Sequence, residues 1–227
     1  MGDPVQALLF DFNGVVVDDE EQHRMAFTTV LAQDAIALSR EDYYARYLGM
    51  NDRTCFLAAY AQARTPLSVE DADRLVAEKS RLYEHSIAAA LALVPGAATF
   101  VRSASRRFRL GLVSGALRRE IELGLDRAGL RPYFEVIVAA EDVGPCKPDP
   151  AGYAAARAAL DRRRPLPSAC CVAIEDSLPG LAAARAAGMR CVMLATSHDE
   201  AALASADLVW SSFEDHDPAE LLSLGTA

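Results

Sequence analysis

The sequence predicts an α/β fold: a doubly wound parallel sheet of Rossmann-like type, with an α-helical cap inserted after the first strand. Three observations carry the prediction. Two well-separated apolar runs, at 5–10 and 170–174, deliver acidic residues, Asp11 and Glu175-Asp176, at strand ends. From Val94 onward strand-like and helix-like stretches alternate, which implies parallel pairing with right-handed crossovers. Between these regions, Glu20 to about Leu93 reads as helix without a clear strand. A chain of 227 residues can bury a full core and has room for a smaller inserted domain.

The elements follow in order. Residues 5–10 form a buried strand that runs into a Gly-containing turn, Asp11-Phe12-Asn13-Gly14. In the helical region Ser39 with Asp42, and Ser68 with Asp71, have the spacing of helix N-caps. Pro66 separates two of these helices, and Val94-Pro95-Gly96 closes the region. Then come a strand at Arg109–Val113, a helix at Leu117–Ala128, a strand at Glu135–Ala139 and a helix at Pro150–Leu160. The strand Cys170–Ile174, helix Leu178–Ala187, strand Cys191–Leu194 and a short strand at Leu208–Trp210 complete the alternation. Asp217-Pro218 starts a last helix, with proline at its first position. The expected division is an α/β core of residues 1–17 and 94–227, and a helical cap of residues 18–93.

Composition narrows the function. Apolar residues make up 52% and charged residues 24%, an ordinary globular balance. A net charge of −9 argues against nucleic-acid binding, which rests on basic surface. An anionic substrate must then be drawn by local features and a metal. The five cysteines have no C-x-x-C or zinc spacing, and Cys170, Cys171 and Cys191 lie in apolar runs where cysteine packs as a small hydrophobe. The start, MGDPVQALLF, lacks a basic leader pattern. The apolar stretch Ile87–Val101 is broken by Pro95 and Gly96 and is too short for a bilayer. A cytoplasmic protein, monomeric and with no membrane partner, is expected.

Four short elements fall at strand exits, where open α/β sheets bind ligands: Asp11, Ser114-Gly115, Lys147-Pro148-Asp149 and Glu175-Asp176. Singly they read as a turn, a surface lysine or a helix cap. Together they suit phosphoryl transfer. Asp11 can attack phosphorus to give an aspartyl-phosphate. Mg²⁺, a hard cation that takes oxygen ligands, suits Asp11, Asp176 and a backbone carbonyl, with Glu175 acting through water. Ser114 and the N–H groups after it can hold phosphoryl oxygens at a helix start. Lys147, with Lys79 the only lysines in the chain, adds fixed positive charge.

The motifs DFNGV, LVSG, CKPDP and AIEDSLPG, in this order, resemble those of the haloacid dehalogenase-like hydrolase superfamily over nearly the whole chain. The branch most similar holds phosphoglycolate phosphatase-like and β-phosphoglucomutase-like enzymes, with a small helical cap. The resemblance implies a Mg²⁺-dependent phosphatase acting on a small phosphorylated metabolite. It makes Asp11 the nucleophile, Ser114, Gly115 and Lys147 the phosphate site, and Asp11, Asn13, Glu175 and Asp176 the metal site, Asn13 through its carbonyl. In the cap it points to His23, Arg53 in the stretch Leu48–Arg53, and Lys79 as residues choosing the substrate.

Asn13 departs from the pattern. Most phosphatases of the family have an aspartate there, which protonates the leaving oxygen and activates water. An amide cannot exchange a proton at neutral pH, and losing general acid–base catalysis costs about 10²–10⁴-fold in rate. Three outcomes stay open: a phosphatase for good leaving groups, a proton from Asp18, Asp19, Glu20 or His23, or binding with little turnover. A mutase of the β-phosphoglucomutase kind is the alternative reaction.

Overall fold

The computed structural model describes residues 4–162 and 164–226; the start of the chain, read above as lacking a leader, lies outside it at residues 1–3. Six parallel strands form one sheet: β1 (Ala7–Phe10), β2 (Arg109–Val113), β3 (Val136–Val138), β4 (Cys171–Glu175), β5 (Arg190–Leu194) and β6 (Leu208–Trp210). Their order is β3-β2-β1-β4-β5-β6. The order reverses beside β1, so a crevice opens between the carboxyl ends of β1 and β4. Phe10 pairs with Ile174 there, which puts Asp11 next to Glu175 and Asp176.

Alternation along β1 explains the layers. Leu8 and Phe10 face one side of the sheet and pack with Phe100, Val101, Ile121 and Leu125 of helices α5 and α6. Ala7 and Leu9 face the other side and meet Tyr153, Leu160, Leu181 and Ala184 of α7 and α8. Both faces are covered, so the strands are apolar throughout. Here α5 is Ala97–Ala104, α6 Arg118–Ala128, α7 Ala151–Asp161 and α8 Leu178–Ala186. The helix α5, which crosses from β1 to β2, has no sequence counterpart above: Pro95 and Gly96 masked its start. The short α9 (Glu200–Leu203) was also not foreseen. The terminal helix from Pro218 is present to Thr226, but as the tighter 3₁₀ form. Cys55, Cys170, Cys171 and Cys191 are buried.

Between β1 and α5 lie four helices, α1 (Glu20–Leu31), α2 (Arg40–Arg46), α3 (Asp52–Gln62) and α4 (Val69–Ala89). They share a core of their own, with Phe27, Val30, Leu31, Tyr43, Phe56, Tyr60 and Leu75. The serine caps stand as expected: Ser39 Oγ accepts from the Asp42 N–H and Ser68 Oγ from the Asp71 N–H, each at 3.0 Å. The insert leaves and returns side by side. The Asp18 N–H donates to the Ala92 carbonyl at 3.0 Å and the Val94 N–H to Val16 at 3.2 Å. Among the described residues no helix is long and apolar enough to cross a membrane.

Candidate active site

The four strand-exit elements meet in one cleft. Asp11, Asn13, Ser114, Gly115, Lys147 and Asp176 line its floor. Asp11 is fixed by the N–H of Phe12, which donates to Oδ1 at 2.8 Å. Lys147 Nζ lies 3.0 Å from Asp11 Oδ2 and 2.5 Å from Glu175 Oε1, as ion pairs rather than aligned hydrogen bonds. Glu175 is held from behind: Tyr153 Oη donates to Oε1 at 2.7 Å and Ser177 Oγ to Oε2 at 3.1 Å. It does not line the cleft, so its contacts suit it to orient Lys147 as much as to serve an ion.

Two glycines make room for these acids. A Cβ on Gly14, whose φ is +70°, would lie 2.1 Å from Asp176 Oδ2, and one on Gly180 would lie 2.0 Å from the Glu175 carboxyl carbon. Any side chain at either position would displace a site carboxylate.

The electrostatics call for a cation. Asp11, Glu175 and Asp176 are all buried, with ligand oxygens within 4.8 Å of one another. Burial pushes Asp11 up to about 7 against the pull of Lys147, with Glu175 adding to the rise. Burial, Asp11 and Glu175 together push Asp176 well above the ordinary carboxylate range. Against burial, Asp11 and Glu175 keep Lys147 charged, but one ammonium cannot neutralise three carboxylates. An all-oxygen set with excess negative charge fits a hard divalent cation such as Mg²⁺.

Ser114 sits at the end of β2, its N–H donating to Val138 at 3.0 Å. Its Oγ accepts from the Ala116 N–H at 3.1 Å and reaches Asn13 Oδ1 at 3.4 Å. Arg118 and Arg119, on the following helix, turn to Asp142 and Glu84 instead.

Asn13 is the centre of a partly buried polar network. Its amide nitrogen lies 3.1 and 2.9 Å from the two Asp19 oxygens and 2.9 Å from His23 Nε2. Tyr83 Oη also donates to Asp19. His23 Nδ1 is 2.5 Å from Lys79 Nζ, which pairs with Asp52 at 3.0 Å and lies 3.9 Å from Glu120 on α6. Burial pushes Asp19 up to about 8 despite its Tyr83 hydrogen bond. Burial and then Lys79 hold His23 well below its usual value.

Of the residues expected to choose the substrate, His23 lines the cleft and Lys79 stands behind it, fully buried. Arg53 is half exposed, pairs with Asp73 and does not line this cleft. Adjacent positions on a helix point about 100° apart, and at the start of α3 it is Asp52 that turns inward. The insert also contributes Glu20, Phe27 and Tyr43, which sequence reasoning did not assign to substrate, and Met50 from the Leu48–Arg53 stretch that it did single out. Glu20, His23 and Phe27 share one face at helical spacing, a signal hidden by the acidic run Asp18–Glu21. Tyr43 had none. Asp18 points to solvent.

Compared with known proteins, residues 5–188 match the haloacid dehalogenase-like hydrolases. Protein CbbY of Rhodobacter capsulatus is 33% identical over 199 residues, 83% of this chain and 85% of that protein. Validoxylamine A 7'-phosphate phosphatase of Streptomyces hygroscopicus subsp. limoneus is 30% identical over 202 residues, covering 88% and 91%. The crystal structure of a CbbY variant from Rhodobacter sphaeroides with xylulose-1,5-bisphosphate superposes with a TM-score of 0.83 at 31% identity, over 96% of this chain and 99% of that one.

Proposed function

The chain belongs to the haloacid dehalogenase-like hydrolase family as a phosphatase, and from that premise we propose that it hydrolyses a small phosphate monoester by way of an aspartyl-phosphate on Asp11. The observation that carries this is Asp11 itself. It is a carboxylate buried at a strand end, 3.0 Å from Lys147 and beside Asp176, an arrangement costly to stability without a cation and a reaction to use it. Asp11, Asp176 and the backbone carbonyl of Asn13 would hold Mg²⁺, with Glu175 beside them. The ion supplies charge neutralisation between carboxylate and phosphoryl oxygens.

An Asp11 oxygen bonds to phosphorus as the bond to the leaving oxygen breaks. Ser114, the Gly115 backbone and Lys147 hold the phosphoryl oxygens. Water then attacks the acyl phosphate, releasing inorganic phosphate and restoring Asp11. The helical insert acts as a cap, with Glu20, His23 and Tyr43 over the leaving group. Asn13, which cannot give a proton, hydrogen-bonds the leaving oxygen, so esters with good leaving groups react fastest.

The test is Mg²⁺-dependent phosphate release from p-nitrophenyl and acetyl phosphate, with chelator and Asp11→Asn controls. A hydroxylamine-sensitive phosphoprotein should form in the wild type and not in Asp11→Asn. Turnover that survives Asp11→Asn would remove the nucleophile assignment. The second reading, a phospho-ligand binder with little turnover, rests on the Asn13 amide. It predicts phosphate binding without release.

A further inference from the structure

The wall of the cleft away from the phosphoryl site has an unusual charge. Four carboxylates line the whole cleft, Asp11, Glu20, Asp52 and Asp176, and a single cation, Lys147. That lysine is committed to Asp11 and Glu175 at the phosphoryl end. Lys79 does not reach the cleft; it is fully buried behind the wall and taken up by Asp52 and Glu120. Arg53 points outward to Asp73. His23 is neutral, because burial and Lys79 both oppose its protonation. Among the described residues, therefore, the leaving-group end of the cleft has two carboxylates and no cation.

These carboxylates retain acceptor capacity. Glu20 Oε1 receives one hydrogen bond, from Tyr43 Oη at 2.5 Å. Asp52 Oδ2 is buried without a hydrogen-bond donor, although Lys79 lies 3.0 Å away. Burial raises Glu20 above its ordinary value, and Lys79 already donates to Asp52 Oδ1 at 3.0 Å. Neither wall group is cationic, however, and Asp52 Oδ2 remains an acceptor that a donating ligand would satisfy. A second phosphate or a carboxylate on the substrate would also only accept, and would set like charges together in a site of low dielectric.

We infer that the substrate is a phosphomonoester whose leaving group bears hydroxyl or amino donors and no second anion: a neutral or amine-bearing polyol or sugar monophosphate, not a bisphosphate or a phosphorylated acid. The inference rests on the phosphatase reading above and goes beyond it by fixing the charge of the leaving group. It also separates this chain from the CbbY relative, whose structure holds a bisphosphate.

The experiment measures Mg²⁺-dependent kcat/KM on sorbitol 6-phosphate, glucose 6-phosphate and glucosamine 6-phosphate, against fructose 1,6-bisphosphate and 2-phosphoglycolate. The first group is expected to exceed the second by at least about a hundredfold, the scale of unfavourable like-charge contact. Glu20→Gln should narrow that gap by about tenfold and lower glucosamine 6-phosphate relative to glucose 6-phosphate. Asp52→Arg should move the preference further, but it disturbs the partner of Lys79, so Glu20→Gln is the deciding variant. Calorimetric binding of the same five compounds to Asp11→Asn with Mg²⁺ repeats the comparison without turnover and should show the same order in Kd. Equal or better use of the bisphosphate or phosphoglycolate, or the reverse order in binding, overturns the inference while leaving the phosphatase reading intact. Turnover that survives Asp11→Asn overturns the aspartyl-phosphate reading, and no turnover on any ester overturns the phosphatase reading; the order of Kd then still decides the charge of the ligand.

Discussion

Asn13 and His23 pose a problem of hydrogen-bond accounting that fixes what each can do. His23 has nitrogen groups at both ring nitrogens, Lys79 Nζ at Nδ1 and the Asn13 amide at Nε2. A neutral imidazole accepts at one nitrogen and donates at the other. Lys79 is kept charged by Asp52 and Glu120 against the cost of burial, so it takes Nδ1 as acceptor and leaves the ring hydrogen on Nε2. That hydrogen needs an acceptor, and Asn13 has only its carbonyl oxygen to give. Exchanging the two ends of the amide meets this need. It turns the NH₂ toward Ser114 and the leaving group. The amide oxygen then faces Asp19, which must be a protonated acid to donate to it, in keeping with a carboxyl that burial pushes up to about 8. Asn13 is thus a fixed donor, and its proton stays with it. Asn13→Asp supplies a transferable proton, shared with Asp19 as between any two carboxyls in contact. It should raise kcat on an alkyl phosphate about 10²-fold, the lower end of acid–base catalysis, and change p-nitrophenyl phosphate only a few-fold. Asp19→Leu should lower both. Steady-state kinetics on the two esters check this; equal gains on both would show that the proton is not what Asn13 lacks.

Individual elements divide into those that announce themselves and those that depend on their neighbours. Ser39 and Ser68 cap α2 and α4 through a local bond, so three residues of sequence were enough to find them. The strands were equally plain, because β1 and β4 are buried on both faces and read as unbroken apolar runs. The strand-exit residues Asp11, Ser114, Lys147 and Asp176 followed from the strands. Helix α5 was lost because its amphipathic face follows directly on Pro95-Gly96. That Asp52 rather than Arg53 faces the cleft was not legible, because the phase of α3 is set by packing against α1 and α4, which no local pattern encodes. Lys79 shows the same dependence. It reads as an ordinary helix lysine, yet it joins α4 to α3 and α6 by pairing with Asp52 and Glu120, all three side chains buried. Removing one partner of a buried ion cluster leaves the others uncompensated and costs about 3–5 kcal/mol. Lys79→Met should therefore lower unfolding free energy by that amount in urea melts. A loss below about 1 kcal/mol would mean that the cluster does not hold the insert to the core.

For the whole molecule, the distribution of buried acids predicts how stability follows pH and metal. Burial raises Asp11 to about 7 and Asp19 to about 8, and raises Asp176 and Glu120 as well, Glu120 against the pull of Lys79. An acid whose folded pKa exceeds its unfolded value, near 4 for a carboxyl, contributes fully below the unfolded value and loses that contribution as pH rises through the folded one. Between about pH 4 and 8 the folded state binds more protons than the unfolded chain, so metal-free protein loses stability across that window. Exposed acids beside arginines, such as Glu21 with Arg24, are lowered and act with the opposite sign, where the pH falls below the unfolded value. Mg²⁺ opposes the loss, because it binds the ionised forms of Asp11 and Asp176 and so competes with their protons. Its stabilisation should be small at pH 5.5 and grow toward pH 8. With magnesium at a hundred times Kd the gain is about 2.7 kcal/mol, roughly 5–10 °C in Tm for a chain of this length. Calorimetric melts at pH 5.5 and 8, with and without Mg²⁺, read both effects, and Asp176→Asn should abolish the metal response. A Tm at pH 8 indifferent to Mg²⁺ would break the link between the two acidic strand ends. A Tm that rises from pH 5.5 to 8 without metal would mean that these carboxyls ionise at no cost, and that the cleft has no need of a cation.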